Sequence, residues 1–264
     1  CHRPYSDRKP RQMKQRVPAK IKFLAFVLAA LAFLCLPALF AFAGADELPR
    51  TARSDAAYAQ NAPSLRDALR ADGLELGQPV YLRVTKQPAE LTAYVAAADG
   101  AYHAFRTWPV CRVSGELGPK TREGDGQAPE GFYTVTPAAM NPASRYHLSF
   151  NLGFPNAHDR ALGHTGSYLM VHGACVSVGC FAMTDAGIAE IWTLMQAAFE
   201  GGQAAVPVHI FPFPMTQANL QRHAGEAPAA FWQSLAPAWE AFETTARVPL
   251  ISSQGGVYMV RAAQ

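Results

Sequence analysis

Apolar positions along this chain follow three successive patterns. From Phe23 to Ala45 they are unbroken, with no charged residue among them. From Pro79 onward they gather into short runs of β-branched and aromatic residues separated by turn chemistry. From Thr184, and again from Phe231, they recur at the three-and-four spacing of a helix. Val80-Tyr81-Leu82-Arg83-Val84 and Leu91-Thr92-Ala93-Tyr94-Val95 read as strands joined through Lys86 to Glu90, and Ala101 to Val113 reads as a third after the Asp99-Gly100 turn. Neighbours of this kind predict an antiparallel β meander. Gly131 to Val135, Tyr146 to Gly153 and Val206 to Phe211 add strands. The segment ending in His172 is apolar without alternation, as in a strand covered on both faces. Thr184-Asp185 supplies an N-cap and first turn for a helix with Ile188, Ile191, Trp192, Met195 and Phe199 on one face, ended by Gly201-Gly202; its aromatics belong to the core.

Elsewhere the pattern is weaker. Asp46 to Ala62 is polar, alanine-rich and aperiodic and reads as linker, followed by a short helix from Pro63 to Arg70 that stops at Asp72-Gly73. Ser114 to Gly131 carries five glycines and no period. A loop of that length is either plain surface or part of a binding site, so Lys120 and Arg122, together with Tyr168, are candidates for lining a substrate. Phe154 to Arg160 reads as a polar loop that leaves His158 and His164 solvated. Beyond Thr216, Gln217 to His223 and Phe231 to Arg247 are helical patterns, the second interrupted at Pro237, and Gly256 to Val260 closes the chain as a short strand.

Charge and cysteine usage sharpen this outline. The 264 residues carry a net +3, but residues 1–22 hold eight basic side chains against Asp7 alone, a net +7, so the remainder carries −4. That excludes a broad phosphate-binding face, which needs clustered Lys and Arg, and nucleic acid is not an expected partner. The basic start, the apolar run and small residues at Ala41, Ala43 and Ala45 have the layout of a secretory signal peptide; the run is also long enough for an uncleaved anchor, which would make the membrane a partner. The expected location is therefore the periplasm or cell envelope. Once the leader is removed, Cys111, Cys175 and Cys180 remain. An odd number in an oxidising compartment leaves at least one thiol free unless pairing is intermolecular; a Cys111–Cys175 bridge with Cys180 free is one arrangement, and connectivity stays open.

Candidate chemistry concentrates between Ser167 and Thr184. A strand ends in His172, a small-residue loop follows, and Cys180 stands just ahead of a helix. Cysteine attacks as thiolate, so it needs a proton acceptor within reach and surroundings that lower its pKa, and His172 is the nearest acceptor in sequence. Gly173 and Gly179 free the backbone to fold tightly and aim N–H groups at a developing oxyanion, with Ser177 as a hydroxyl donor or a turn residue. Against this stands the inert alternative, since a buried cysteine is more often a small hydrophobe. Zinc is poorly served: of His158, His164, His172, Cys175 and Cys180, only His172 and Cys175 have ligand spacing. No metal or other cofactor is expected.

The segment from Tyr168 to Gly173, followed by Ser177-Val178-Gly179-Cys180 and then Phe181-Ala182-Met183, resembles the active-site signature of the L,D-transpeptidase catalytic domain family, the YkuD type. Ser114 to Lys120, Pro129 to Tyr133 and Gly153 to Ala157 are similar to its YafK-like branch, and the likeness runs from about Pro79 to Phe211. The resemblance implies a mostly β (α+β) sandwich or barrel with one packed helix, over residues 78–212, between a linker and short helix (46–77) after the leader (1–45) and a C-terminal helical extension (213–264). It further implies Cys180 as nucleophile, His172 as base, and Gly173 as the residue whose carbonyl orients the imidazole. Substrates in the family are peptidoglycan stem peptides, attacked at the L-centre of diaminopimelate to give a thioester that an amine or water resolves. The YafK-like branch is associated with hydrolysis that releases a wall-attached outer-membrane lipoprotein. Two departures stand out. Many members have His where Val178 stands and Arg or Asn where Ala182 stands, and the interval from His172 to Cys180 is shorter than usual. The competing readings are an exported peptidoglycan-binding module without catalysis, and an envelope protein stapled by disulfide or metal.

Overall fold

The computed structural model describes residues 47–263; the leader expected over 1–45 lies outside the described residues. Strands β1 (Val80–Thr85), β2 (Glu90–Ala96) and β3 (Tyr102–Pro109) form the expected meander. The run expected to continue to Val113 breaks at Val110-Cys111 and resumes as β4 (Arg112–Val113), which belongs to a different sheet. Pro109, which has no N–H to give a ladder, ends the first piece. After β5 (Gly131–Val135) come β6 (Met140–Asn141), β7 (Ser149–Asn151), β8 (Met170–His172), β9 (Phe181–Ala182) and β10 (Val206–Phe211). They complete two five-stranded sheets, ordered β3-β2-β1-β10-β5 and β4-β9-β8-β7-β6. The apolar segment ending in His172 is thus central, as its pattern predicts.

Leu82, Val84, Leu91, Val208 and Ile210 of the first sheet share one core with Phe150, Val171 and Phe181 of the second. The helix predicted after Thr184 closes that core. Here called α3 (Asp185–Glu200), it takes a side-chain cap from Thr184, ends at Gly201, and buries Ile188, Ile191, Trp192 and Met195 completely. Between β7 and β8, the segment expected to be loop contains the short helix α2 (Ala157–Ala161), closed by a capping box between Asn156 and Asp159.

The expected linker is the largest departure from the sequence reading. Residues Ala52–Ala71 form one helix, α1, which packs against α3. Thr51 and Ser54 cap it reciprocally, and Leu65 and Leu69 are fully buried. Burying each leucine contributes roughly 1.5–3 kcal/mol. The rest of the inner face is Ser54, Ala57 and Ala62, small residues that fit a close helix contact but give no hydrophobic period to read. Pro63, which marked the expected start, lies inside the helix.

In the C-terminal extension the expected closing strand is present, and it pairs with a strand that was not expected. Helices α4 (Gln217–Arg222) and α5 (Ala229–Thr245) are followed by a hairpin of β11 (Leu250–Gln254) and β12 (Val257–Arg261). Gly255 and Gly256, both at positive φ, make the tight turn that such hairpins require. Pro237 does not interrupt α5. Trp232, Leu235 and Tyr258 of this extension pack with Phe132, Phe211 and Phe213.

A buried ion pair holds the long loop 114–130 to the end of β1, and Trp232 of the extension binds the same carboxylate. Lys86 Nζ lies 3.0 Å from Glu130 Oε1 and also donates to the carbonyls of Gly118 and Ala128. Glu130 accepts from the Gly118 N–H at 2.7 Å and from Trp232 Nε1 at 2.8 Å. Charges out of water need every such partner. Burial lowers the Lys86 pKa, and the Glu130 carboxylate opposes the shift.

Because residues 52–62 are packed helix and not linker, Thr51→Ala, which removes the N-cap of α1, should cost about 0.5–2 kcal/mol of stability in chemical unfolding. Substitutions in a solvated linker would stay within about 0.5 kcal/mol.

Candidate active site

Strands β8 and β9 are parallel neighbours with Val171 opposite Phe181 and His172 opposite Ala182. Val171 and Phe181 face the core, so alternation sends His172 and Cys180 to the other face. The two side chains line one cavity of about 210 Å³ together with Tyr146, Val176, Ser177 and Val178. His172 is buried, and Nδ1 donates to the Gly173 carbonyl at 2.7 Å. With Nδ1 protonated, a neutral imidazole keeps its lone pair on Nε2. The Tyr146 ring covers the imidazole, centroid to centroid 4.7 Å.

Only residues 173–180 connect the two strands, and the loop is held at several points. The Gly173 N–H donates to the carbonyls of Tyr146 and Leu148, and the Ala174 N–H donates to Asp185 Oδ1 at 2.7 Å. Gly173 must be glycine, because a Cβ there would lie 2.5 Å from Asp185 Oδ1 and 3.0 Å from the Tyr146 carbonyl. Cys175 is bonded to Cys111, and Cys180 is free. Gly179 sits at φ +89°, a conformation that side chains disfavour.

Ser177 proves to be the turn residue. Its Oγ accepts from the Cys180 N–H at 2.9 Å and donates to the Cys180 carbonyl at 2.7 Å, while Ser114 Oγ lies 2.7 Å away and completes the set as donor. The Cys180 N–H is therefore engaged, whereas those of Val178 and Gly179 take no acceptor among the described residues.

Protonation differs from the expected thiolate. Burial raises the Cys180 pKa above its ordinary 9.0, with an N–H of Met170 and the charge of Lys120 opposing the shift. The thiol donates to the Tyr168 carbonyl at 3.6 Å. Burial also lowers His172 below its ordinary 6.5, against the Gly173 bond. Both shifts favour the neutral forms, so the two groups are not held as an ion pair.

Residues 83–210 match the family model of the L,D-transpeptidase catalytic domain. Over 185 residues the chain is 45% identical to the Escherichia coli (strain K12) protein YafK, which bears an L,D-transpeptidase name; the match covers 70% of this chain and 75% of that protein. The chain belongs to the L,D-transpeptidase catalytic domain family. Among solved structures, the helical cell shape determining protein Pgp2 from Campylobacter jejuni aligns with a TM-score of 0.41 at 20% identity, over 68% of this chain and 65% of that one. Bdellovibrio bacteriovorus Bd1075 aligns with a TM-score of 0.35 at 18% identity, over 63% and 60%. The chain thus spans less than two thirds of the length of these two.

Within this L,D-transpeptidase domain the side chains expected to line substrate are placed differently. Lys120 is buried, with Nζ 2.5 Å from Asp125 Oδ1 and 2.8 Å from the Arg122 carbonyl. Against the burial that would raise it, Lys120 and the N–H groups of Arg122, Gln127 and Thr121 hold the Asp125 carboxyl well below the usual carboxylate range. Lys120 is thus a loop staple whose field reaches the thiol, and Arg122 contributes its carbonyl to that staple while its side chain is exposed. Tyr168 is 78% exposed and enters the site only through its carbonyl. Val178 is 89% exposed and Ala182 fully buried, so neither replaces the polar group that many members carry at its position. Tyr146, Ser114 and Asp185 escaped the sequence reading; only the N-cap pattern at Thr184-Asp185 hinted at the last. Among the described residues no group of three His, Cys, Asp or Glu could hold a metal.

Two measurements follow from this geometry. Reducing Cys111–Cys175, which closes a separation of 64 residues, should cost about 4 kcal/mol on chain-entropy grounds, or roughly 10 °C in melting temperature, read from scans with and without reductant. Iodoacetamide should label Cys180 more slowly at neutral pH than it labels free cysteine, with a rate that climbs through and beyond pH 9.0. A plateau at low pH would instead reveal a preformed thiolate.

Proposed function

We propose that this protein is a cell-envelope cysteine acyltransferase that acts on peptidoglycan stem peptides at the L-centre of diaminopimelate, with Cys180 as nucleophile and His172 as base. The observation that carries the reading is the shared cavity: the one free thiol among the described residues and a neutral imidazole with its lone pair on Nε2 line the same walls. Membership of the L,D-transpeptidase family supports the substrate class. An exposed disulfide beside a free thiol suits an oxidising compartment, and with the leader pattern it supports a periplasmic or envelope location.

In the proposed reaction, Sγ attacks the carbonyl carbon as its proton passes to His172 Nε2. The N–H groups of Val178 and Gly179 receive the oxyanion. The tetrahedral intermediate collapses, the C–N bond breaks, and His172 returns the proton to the departing amine, leaving a thioester on Cys180. A second acceptor then attacks with His172 again as base. We assign water to that step, which would make the enzyme a hydrolase that frees a wall-attached lipoprotein. The family likeness of the YafK branch is what supports this choice. An amine acceptor would make it a cross-linking transpeptidase, and a binding module would form no thioester.

Intact-mass analysis after incubation with a disaccharide tetrapeptide tests all three. Wild type should carry the acyl adduct, Cys180→Ala should carry none, and His172→Ala should form it roughly 10²–10⁴-fold more slowly. Product analysis with and without an amine acceptor then reads the second step. The acid limb of the rate should lie below pH 6.5, because burial keeps His172 neutral past that point. Binding without an adduct in wild type would sink the catalytic reading.

A further inference from the structure

A second cavity, of about 390 Å³, lies between the edge of the first sheet at β5 and β10 and the C-terminal hairpin, and it shares no lining residue with the thiol cavity. Its walls include Phe132, Asn156, His158, His209, Ser253 and Tyr258. The size falls in the range of small-molecule sites, about 300–1,000 Å³.

Buried polar atoms in folded proteins nearly always have partners. Among the described residues, the buried side-chain nitrogen and oxygen atoms without one are Nδ1 and Nε2 of His158, Nδ1 of His209 and Oγ of Ser253. All three residues line this cavity. Both histidines are more than nine-tenths buried, and His158, expected from sequence to be solvated, stacks on Tyr258 at 3.9 Å. Of the other polar groups on the wall, Asn156 Nδ2 donates to the Phe132 carbonyl and to Tyr258 Oη, Tyr133 Oη lies 3.2 Å from both the Glu130 carbonyl and Asp159 Oδ2, and Thr134 and Ser252 are exposed.

We infer that this cleft binds an uncharged saccharide unit through His158, His209 and Ser253. No Asp, Glu, Lys or Arg is among its lining residues, so a charged ligand would surrender hydration without a counter-charge. Burial lowers the pKa of both histidines, His209 to about 3, which keeps the imidazoles neutral. A neutral imidazole offers one donor and one acceptor and a hydroxyl offers both, a set that sugar hydroxyls match and a hydrocarbon does not. Phe132 and Tyr258 supply aromatic wall for the C–H faces of a sugar ring. Two imidazoles and a hydroxyl fall short of a metal site.

The test is NMR titration of the full chain with glucose and with N-acetylglucosamine, following the imidazole nitrogens of His158 and His209. Saturable millimolar shifts are expected with at least one of the two sugars. His158→Phe, which keeps an aromatic ring against Tyr258 and removes both unpartnered atoms, should weaken binding at least tenfold while the melting temperature shows that the chain still folds. Ser253→Ala, on the hairpin, serves as the second variant and should weaken binding severalfold. Cys180→Ala should leave binding unchanged, which keeps this site separable from the thiol chemistry. No saturable shift with either sugar, equal affinity for glucuronate, or unchanged binding in both cleft variants would overturn the inference.

Discussion

The parallel pairing of β9 alongside β8 is the constraint on which the site depends. Parallel neighbours are normally joined by a crossover of about a dozen residues or more, yet here residues 173–180 make the whole return. The chain must double back over so short a distance that Cys180 arrives level with Met170, on the face that also carries His172. Such a path needs unusual backbone. Ala174 and Cys175 sit at φ +68° and +50°, a region that costs an ordinary residue roughly 1–2 kcal/mol, and Gly179 takes a third left-handed position. The Asp185 carboxylate, the Ser177 hydroxyl and the bridge to Cys111 hold what local preference alone would not.

Electrostatics follow from that placement. A loop packed close over the sheet removes water from His172 and Cys180, and the absence of water favours their neutral forms. In the proposed reaction the imidazole gains from this, since it stays an available base; the thiol does not, since it must be deprotonated during attack. Lys120 partly offsets the cost from a distance, held in place by Asp125 and not free to meet a substrate carboxylate. One buried lysine therefore shapes a loop and tilts the thiol's field together.

A chain of polar contacts extends this organisation into the C-terminal region. Trp232 on α5 binds Glu130, Glu130 and Lys86 fix the carbonyls and N–H groups of loop 114–130, and Ser114 at the head of that loop meets Ser177 beside Cys180. The links at Trp232, Glu130 and Lys86 are buried donors and acceptors that would be costly to leave unpaired. The extension is thereby built into the same framework as the thiol loop and does not hang from it.

Much of this was legible without coordinates. The meander, the central strand, the helix after Thr184 with its glycine stop, and the pairing of a histidine with a later cysteine all rest on local period, capping and spacing, which the order of residues encodes directly. Other features were invisible for a physical reason. The first half of helix α1 buries serine and alanine, whose burial leaves no hydrophobic period; β11 is half polar and exists through its partner strand. Lys120 and His158 look solvent-loving by composition, and only the surfaces folded over them make one a staple and the other an unpartnered group in a cleft. Which cysteines pair, which N–H groups stay free and whether the thiol rests protonated are matters of distance and dehydration between segments far apart in the chain, so they were decided by the tertiary structure alone.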